Sequence, residues 1–269
     1  MDKNIDREQS RPTDRPGRLR GNYSITLHTR QAQRLFLGRR KTDEKPAIVG
    51  LTAFSSMMAR VWDAAADDDP YADWFLLQAE QAIEDAQARI AVRQREVDAR
   101  LRSRDRVHIE VASSLSPVEM PLKFPTPFGY MGAYLIEEYD KLVLSLLTAV
   151  HVALLPREMA MSILAQTGRA IRRAFLVPTR HKLLGITRKD LEMMTQRGAQ
   201  AVEAMGELPA EILEGGKRSR YAPAIRAPGG GEAPKVDLLD DEDGDDARET
   251  GEDAPDVGVV PLQGARKGG

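Results

Sequence analysis

VEMPLKFPTPFGYMGAYLIEEYDKLVLSLLTAVHVALLPREMAMSILAQTGRAIRRAFLVP, residues 118–178, reads as one extended segment followed by two helices. Val118 to Phe124 sets apolar side chains at alternate positions, the period of a half-buried strand. Pro121 has no N–H to give to a ladder, so this strand belongs at an edge, at a bulge or in a two-stranded ribbon. Pro125 and Pro127 end it. From Phe128 to about Leu154, the residues Met131, Leu135, Tyr139, Leu142, Leu146 and Val150 form a wide stripe at helical spacing. Pro156 opens a second helix that runs to about Leu176. Leu164, Ile171 and Phe175 share one face of it, and Ser162, Gln166, Arg169 and Arg173 share the other. Pro178 stops it.

The second helix and its exit are basic. Met159 to Lys189 holds seven lysines and arginines, one histidine and no carboxylate. Arg169, Arg172 and Arg173 stand at i, i+3 and i+4, neighbouring positions on a helix surface. Without interleaved acids, such a stripe is an electrostatic footprint for phosphate as well as a solvated face. The balancing acid is distant. Asp237 to Asp256 contains eleven carboxylates against the single Arg248. The chain's net charge is −2 and this segment contributes −10, so the remainder carries +8.

Upstream, residues 1–20 form a basic arm with Pro12, Pro16 and no periodicity, and are expected to be disordered. Tyr23 to His28 alternates as a short strand does. Thr29 suits the cap of a helix, TRQAQRLFLG, that Gly38 closes. Ile48 to Ala66 reads as another helix. Asp67-Asp-Asp-Pro70 is a helix-start signal, because acids favour the positive end of the dipole and proline suits the first turn. The helix that follows runs from Tyr71 to about Arg102. Leu76, Ile83, Ile90 and Val97 recur along it every seven residues. That narrow seam fits either a dimerising coiled coil or packing within one chain, and arginines at 93 and 100 interrupt it. Val107 to Val111 alternates as a strand. Downstream, Thr187 starts a helix to about Met205, followed by a turn of helix at Pro209 to Leu213. Beyond Gly215 the composition turns to Gly, Pro, Ala and then acids, so 215–269 reads as a disordered acidic tail. The expected body is therefore a single mainly helical domain, 21–214, with strands near 23–28, 107–111 and 118–124.

Several chemistries are excluded or weakened. The 269 residues include no cysteine, which rules out a disulfide framework and thiolate metal sites and suits a reducing cytosol. His28, His108, His151 and His181 show no metal-ligand spacing, so no metal is expected. Gly215-Gly-Lys217 lacks the first glycine and the Ser/Thr of a phosphate loop, and no nucleophile elbow, zincin motif or dinucleotide fingerprint is present. The expectation is a non-enzyme without cofactors. The polar N-terminus has no signal-peptide core, and the most apolar run, Leu142 to Leu155, is shorter than a membrane span. A soluble, cytoplasmic protein without membrane contact is expected. Aromatics make up only 5% of the chain, which argues against a base-stacking surface for single strands.

What remains is a strand–helix–helix unit with an arginine face. Cations held in a fixed array bind phosphate, and a two-stranded ribbon can carry side chains into a major groove. Two segments compete for that ribbon. In the first, Lys123 projects opposite to Leu122 and Phe124, although Glu119 and Pro121 share its phase. In the second, Ser24, Thr26 and His28 form the polar phase, and Arg30 and Arg34 follow. The bland alternative pairs both strands in one small sheet and leaves the arginines to solvate a helix.

LHTRQAQRLFLGR, DAAADDDPYADWFLLQAEQAI, PLKFPTPFGYMGAYLIEEYDKLVLSLLTAVHVALL and MGELPAEIL resemble a family of proteins encoded on integrating conjugative elements. That family is itself similar to the AcaB-like transcriptional activators of conjugative plasmids. The resemblance spans residues 20–214 and omits both tails. It implies a homodimeric regulator of transfer genes, an activator by the likeness, that binds double-stranded DNA through a modified ribbon-helix-helix fold. The fold class so implied is mainly α with a small β ribbon or sheet, an elaborated ribbon-helix-helix-like α+β arrangement. Two features depart from that pattern: the helix after Phe124 is about twice the usual length, and Pro121 sits in the ribbon. On this reading Arg157, Arg169, Arg172, Arg173, Arg180, His181 and Lys182 neutralise phosphates, while Lys123, or alternatively Ser24, Thr26, His28 and Arg30, faces the bases. The other function class is a non-enzymatic scaffold of the conjugation machinery, docking a partner through the helix from Tyr71. The acidic tail suits either case: it competes with DNA for the basic face, or it recruits a protein partner.

Overall fold

A computed structural model describes residues 21–43, 46–103 and 106–226. The arm expected at 1–20 and the acid-rich segment 237–256 lie outside the described residues. Strands β1 (Tyr23–Leu27) and β2 (Val118–Leu122) pair antiparallel, with Ile25 opposite Met120 and Thr26 opposite Glu119. The two rival segments are thus the two strands of one ribbon. Ile25, Leu27 and Leu122 face the core, and Ser24, Thr26, Glu119 and Pro121 face solvent. Each strand of a two-stranded ribbon leaves alternate N–H groups unpaired, which is why Pro121 is tolerated there.

His28, expected within β1, lies just past its end. Its N–H donates to Asp140 Oδ2 at 2.7 Å, and the Thr29 hydroxyl donates to Asp140 Oδ1 at 2.5 Å. Thr29 Oγ1 also accepts from the Ala32 N–H at 3.3 Å and so caps α1 (Arg30–Leu37). A single buried carboxylate on the following long helix therefore fixes where the strand stops and the helix starts. Asp140→Ala leaves these buried donors without a partner, at a cost of about 1–3 kcal/mol. A lower melting temperature for Asp140→Ala, with Asp140→Asn closer to the parent, is the expected result; equal melting of all three proteins would sink this account.

Helix α2 (Leu51–Ala66) begins later than the Ile48 expected from pattern. Ile48 is instead held in an isolated bridge to Arg39, and the chain pinches at two glycines. A Cβ on Gly50 would lie 2.3 Å from the backbone nitrogen of Gly38, so no side chain fits. Helix α3 (Pro70–Leu101) starts as its sequence dictates. Asp69 accepts from the N–H groups of Tyr71 and Ala72 at 2.8 and 3.2 Å, and Pro70 takes the first turn. Helices α4 (Pro127–His151) and α5 (Arg157–Leu176) follow β2, so strand, helix and helix appear in the expected order.

Three long helices make the body. Gln87 donates to Glu138 at 3.1 Å and Gln94 to Ser145 at 2.9 Å. Both pairs are 51 residues apart in sequence, so α3 and α4 run parallel. Helix α5 runs antiparallel to α3: Arg100 reaches Met159 at one end, and Arg180 reaches Gln78 at the other. The seam Leu76, Ile83, Ile90 and Val97 is buried among these helices within one chain. At the opposite end of α4, Gly132 lets Leu51 and Phe175 approach closely, and Phe175 stacks on Phe54 with ring centroids 4.8 Å apart.

Three expectations are corrected here. Residues 107–111 form no strand: Val107 and Val111 are exposed, and only Ile109 packs on the core. The chain beyond them gives its N–H groups to side chains, Ala112 to Thr148 Oγ1 and Ser114 to His28 Nδ1. The helix expected from Thr187 to Met205 is two, α6 (Arg188–Glu192) and α7 (Gln196–Met205). Met194 takes a left-handed φ of 48°, and Thr195 recaps the chain by accepting from the Gly198 N–H. Finally, the packed chain does not end at 214. After α8 (Ala210–Leu213), residues 217–226 lie as a strap across the α2–α3 corner. The Arg226 N–H donates to the Ala66 carbonyl at 2.8 Å, and the Trp62 indole donates to the Tyr221 carbonyl at 2.9 Å.

Candidate nucleic-acid interface

Helix α5 owes its orientation to Ala160, Leu164, Ile171, Ala174 and Phe175, which are buried. With that face fixed, the 3.6-residue period turns Gln166, Arg169 and Arg173 outward. The exposed line continues by i+3 and i+4 steps through Leu176 to Arg180, at the end of a 3-10 turn (Val177–Arg180). Among the described residues, ion pairs join Arg93 to Glu96, Lys217 to Glu211, and cations to acids at the α2–α3 corner. None involves Arg157, Arg169, Arg172, Arg173, Arg180 or Lys182. None of these cations has a carboxylate within ion-pair distance among the described residues.

The candidates named from sequence divide into distinct groups. Arg169, Arg173 and Arg180 share the exposed line, and Lys182 is exposed in the extended chain just beyond it. Arg180 is braced, donating to Gln78 Oε1 at 2.8 Å with its guanidinium 5.8 Å from the Phe75 ring centre. Arg172 is half-buried and leans across Gly168 toward Tyr139. Burial holds the Tyr139 hydroxyl above its ordinary range, and the nearby Arg172 charge lowers it in part. Arg157 is exposed at the first turn of α5, about a third of a turn away from Arg169 around the axis.

His181 is a correction. Its side chain is 4% exposed, edge-on to Phe75, with Nε2 3.6 Å from Asp69 Oδ2. It anchors the helix exit and faces away from solvent, so it offers no phosphate a donor. Its neighbour Arg188, part of the same carboxylate-free stretch, is also consumed. Arg188 binds Asp68 and Asp73 and donates to the Leu213 carbonyl at 3.1 Å.

On the ribbon, Ser24 and Thr26 are exposed, and the Ser24 hydroxyl donates to Glu119 Oε1 at 2.6 Å. Lys123 is exposed just beyond β2, and Arg30 is exposed at the first residue of α1. His28 is half-buried, with its Nδ1 occupied by the Ser114 N–H at 3.3 Å. The outward face thus offers two hydroxyls, able to meet base edges or phosphate, and a carboxylate, which phosphate repels. Asp140 and the strap were missed in the sequence reading. The strap's signal is present in KRSRYAPAIR, residues 217–226, whose four cations and apolar run differ from the Gly- and Asp-rich chain that follows.

Among the described residues no group of three or more histidines and carboxylates is placed to hold a metal ion. An open cleft of about 600 Å³ is lined by Phe124, Tyr130, Tyr134 and Tyr221, with Arg220 and Glu84 at its rim already paired to each other. No helix of the described residues is long and apolar enough to cross a membrane.

A family model described as the transcriptional regulator AcaB matches residues 15–226. That match ends at Arg226, the last described residue of the strap. Among solved structures, the crystal structure of selenomethionine-containing AcaB from uropathogenic E. coli is 15% identical, with a TM-score of 0.47. It covers 73% of this chain and 98% of its own. No curated protein matches the chain.

Proposed function

The chain belongs to the AcaB family of transcriptional regulators, and we propose that it is a DNA-binding activator of the transfer genes of an integrating conjugative element. The observation that carries the DNA-binding part is the exposed, unpaired line Arg169–Arg173–Arg180, with Lys182 just beyond it, in a stretch without carboxylates. Guanidinium and ammonium groups fixed on one face suit the regular spacing of phosphates. The element and the sign of regulation rest on the resemblance of residues 20–214. In this reading the ribbon meets base edges through Ser24 and Thr26, flanked by Lys123 and Arg30, and Arg157 adds a contact at the far end of α5. Each chain builds its own ribbon, and two copies on one operator supply the second half-site. The protein works in the cytoplasm, where that DNA lies.

The scaffold alternative is less favoured. In it α3 docks a partner and the arginine face meets an acidic protein, but the apolar seam of α3, Leu76 to Val97, is buried within the chain and leaves that helix a mainly polar face. A gel shift against element-derived and random duplexes, run at two salt concentrations, tests the proposal. Expected are binding to both, tighter binding to an element-derived duplex, and a steep loss with salt as released counterions demand. Absence of binding at low salt would overturn it.

A further inference from the structure

Past the 3-10 turn, residues 181–187 form neither helix nor strand, yet both ends of the segment are tied down. His181 is buried against Phe75, the Lys182 N–H donates to Met205 Sδ at 3.3 Å, and Ile186 is buried in a second small core with Tyr71, Leu191 and Ala201. Between these anchors Leu183 and Leu184 stand 64% and 36% exposed. Gly185 turns the chain back with a φ of +60° and open space beyond it. Leu176, 47% exposed, lies on the approach. Two adjacent leucines on a braced tip, framed by Arg180 and Lys182, are not the scattered apolar residues of an ordinary surface.

We infer that Leu183 and Leu184 are an apolar wedge that enters the minor groove of duplex DNA between base steps, while Arg180 and Lys182 hold the flanking phosphates. The inference rests on the DNA-binding reading and extends it from phosphate contact to deformation. Leucine is among the side chains that unstack a base step, and such insertions kink the duplex by roughly 20–90°. Charge selects the occupant. Neither Arg180 nor Lys182 has an ion pair among the described residues, and Asp69, which packs on this segment, is buried against His181, so a polyanion is favoured over a basic partner. A second copy joined by a two-fold axis would set these cations against themselves. An anionic bilayer shares the charge, but two leucines bury little apolar area for membrane attachment, whereas a wedge needs no more.

The test uses the full chain and a duplex of roughly 30 base pairs, with fluorophores on both ends and a central TA step, which kinks readily. Energy transfer should rise when the parent protein binds. Leu183→Ala/Leu184→Ala should lose that rise and bind more weakly, yet keep the parent's dependence of log Kobs on log salt, because no cation is lost. Lys182→Gln should keep the bend and flatten the salt dependence by about one unit. The leucines are exposed, so the double variant should melt with the parent. Binding by the parent without bending, or an unchanged bend in the double variant, overturns the wedge while leaving the regulator reading standing. A parent that binds no duplex removes both. Loss of binding to phosphatidylserine vesicles, with the DNA bend unchanged, would assign the leucines to a membrane and overturn the wedge.

Discussion

Asp73→Ala should lower the stability of the protein by about 3–5 kcal/mol, the cost of breaking a buried ion pair from one side. For a body of this size that is a fall of roughly 6–20 °C in melting temperature. Asp73 is fully buried on the first turn of α3 and is held by two arginines from distant parts of the chain. Arg188, at the start of α6, binds its Oδ2, and Arg218, in the strap, donates to both oxygens at 2.9 Å. Removing the carboxylate leaves Arg188 largely enclosed, with only the more exposed Asp68 opposite it. The strap also loses its innermost tie. Arg218→Ala should cost less, since that side chain reaches water more easily. In a double-mutant cycle, Arg188→Ala should cost less in the Asp73→Ala background than in the parent, because the two changes remove the same contact. Additive losses would show that the pair is not coupled, and an unchanged melting temperature for Asp73→Ala would remove the ion cluster from the account of stability.

The same cluster shows where sequence reading reaches its limit. Within residues 118–178 every step is local: alternation, prolines at the breaks, and apolar stripes at helical spacing. Strand, helix and helix are accordingly legible there, as are the Thr29 cap and the helix start at Asp67 to Pro70. Charge is legible only as quantity. Arg188 looks like one more cation of a basic stretch, yet its partners Asp68 and Asp73 stand 120 and 115 residues upstream. His181 looks like a surface cation, yet the packing of Phe75 and Asp69 turns it inward. Asp67 and Asp68 read as dipole partners of α3, but they bind Arg226 and Arg188. The pairing of β1 with β2 is likewise non-local. Asp140 ties the end of β1 to α4, and no periodicity within either strand reports which partner strand it takes. The boundary at 214 fails for the same reason: the strap is ordered by groups presented from α2 and α3, the acids that hold Arg218, Arg220 and Arg226 and the Trp62 indole that holds Tyr221.

Replacing Arg169, Arg173 and Lys182 together by glutamine should weaken DNA binding about 100-fold at 0.15 M salt, whatever the sequence of the duplex. The size follows from counterion release. Each phosphate neutralised contributes about 0.9 to the slope of log Kobs against log salt, so three lost contacts flatten the slope by roughly 2.7. The parent and variant lines converge near 1 M, where that term vanishes, and separate as salt falls. These positions suit the test because all three side chains are exposed and none has an ion pair among the described residues, so the fold should be indifferent to the change. Arg172→Gln is the internal control. Its guanidinium leans toward Tyr139, so its loss should alter the slope least while disturbing the α4–α5 packing most. The ribbon supplies the opposite control. Ser24→Ala and Thr26→Ala remove no charge and should leave the slope alone, while narrowing the gap between element-derived and random duplexes. If the triple variant keeps the parent's slope, the α5 line does not touch phosphate. The unpaired arginines would then solvate a helix and nothing more, and the ribbon would have to hold DNA with a face whose charges are Glu119 and Lys123.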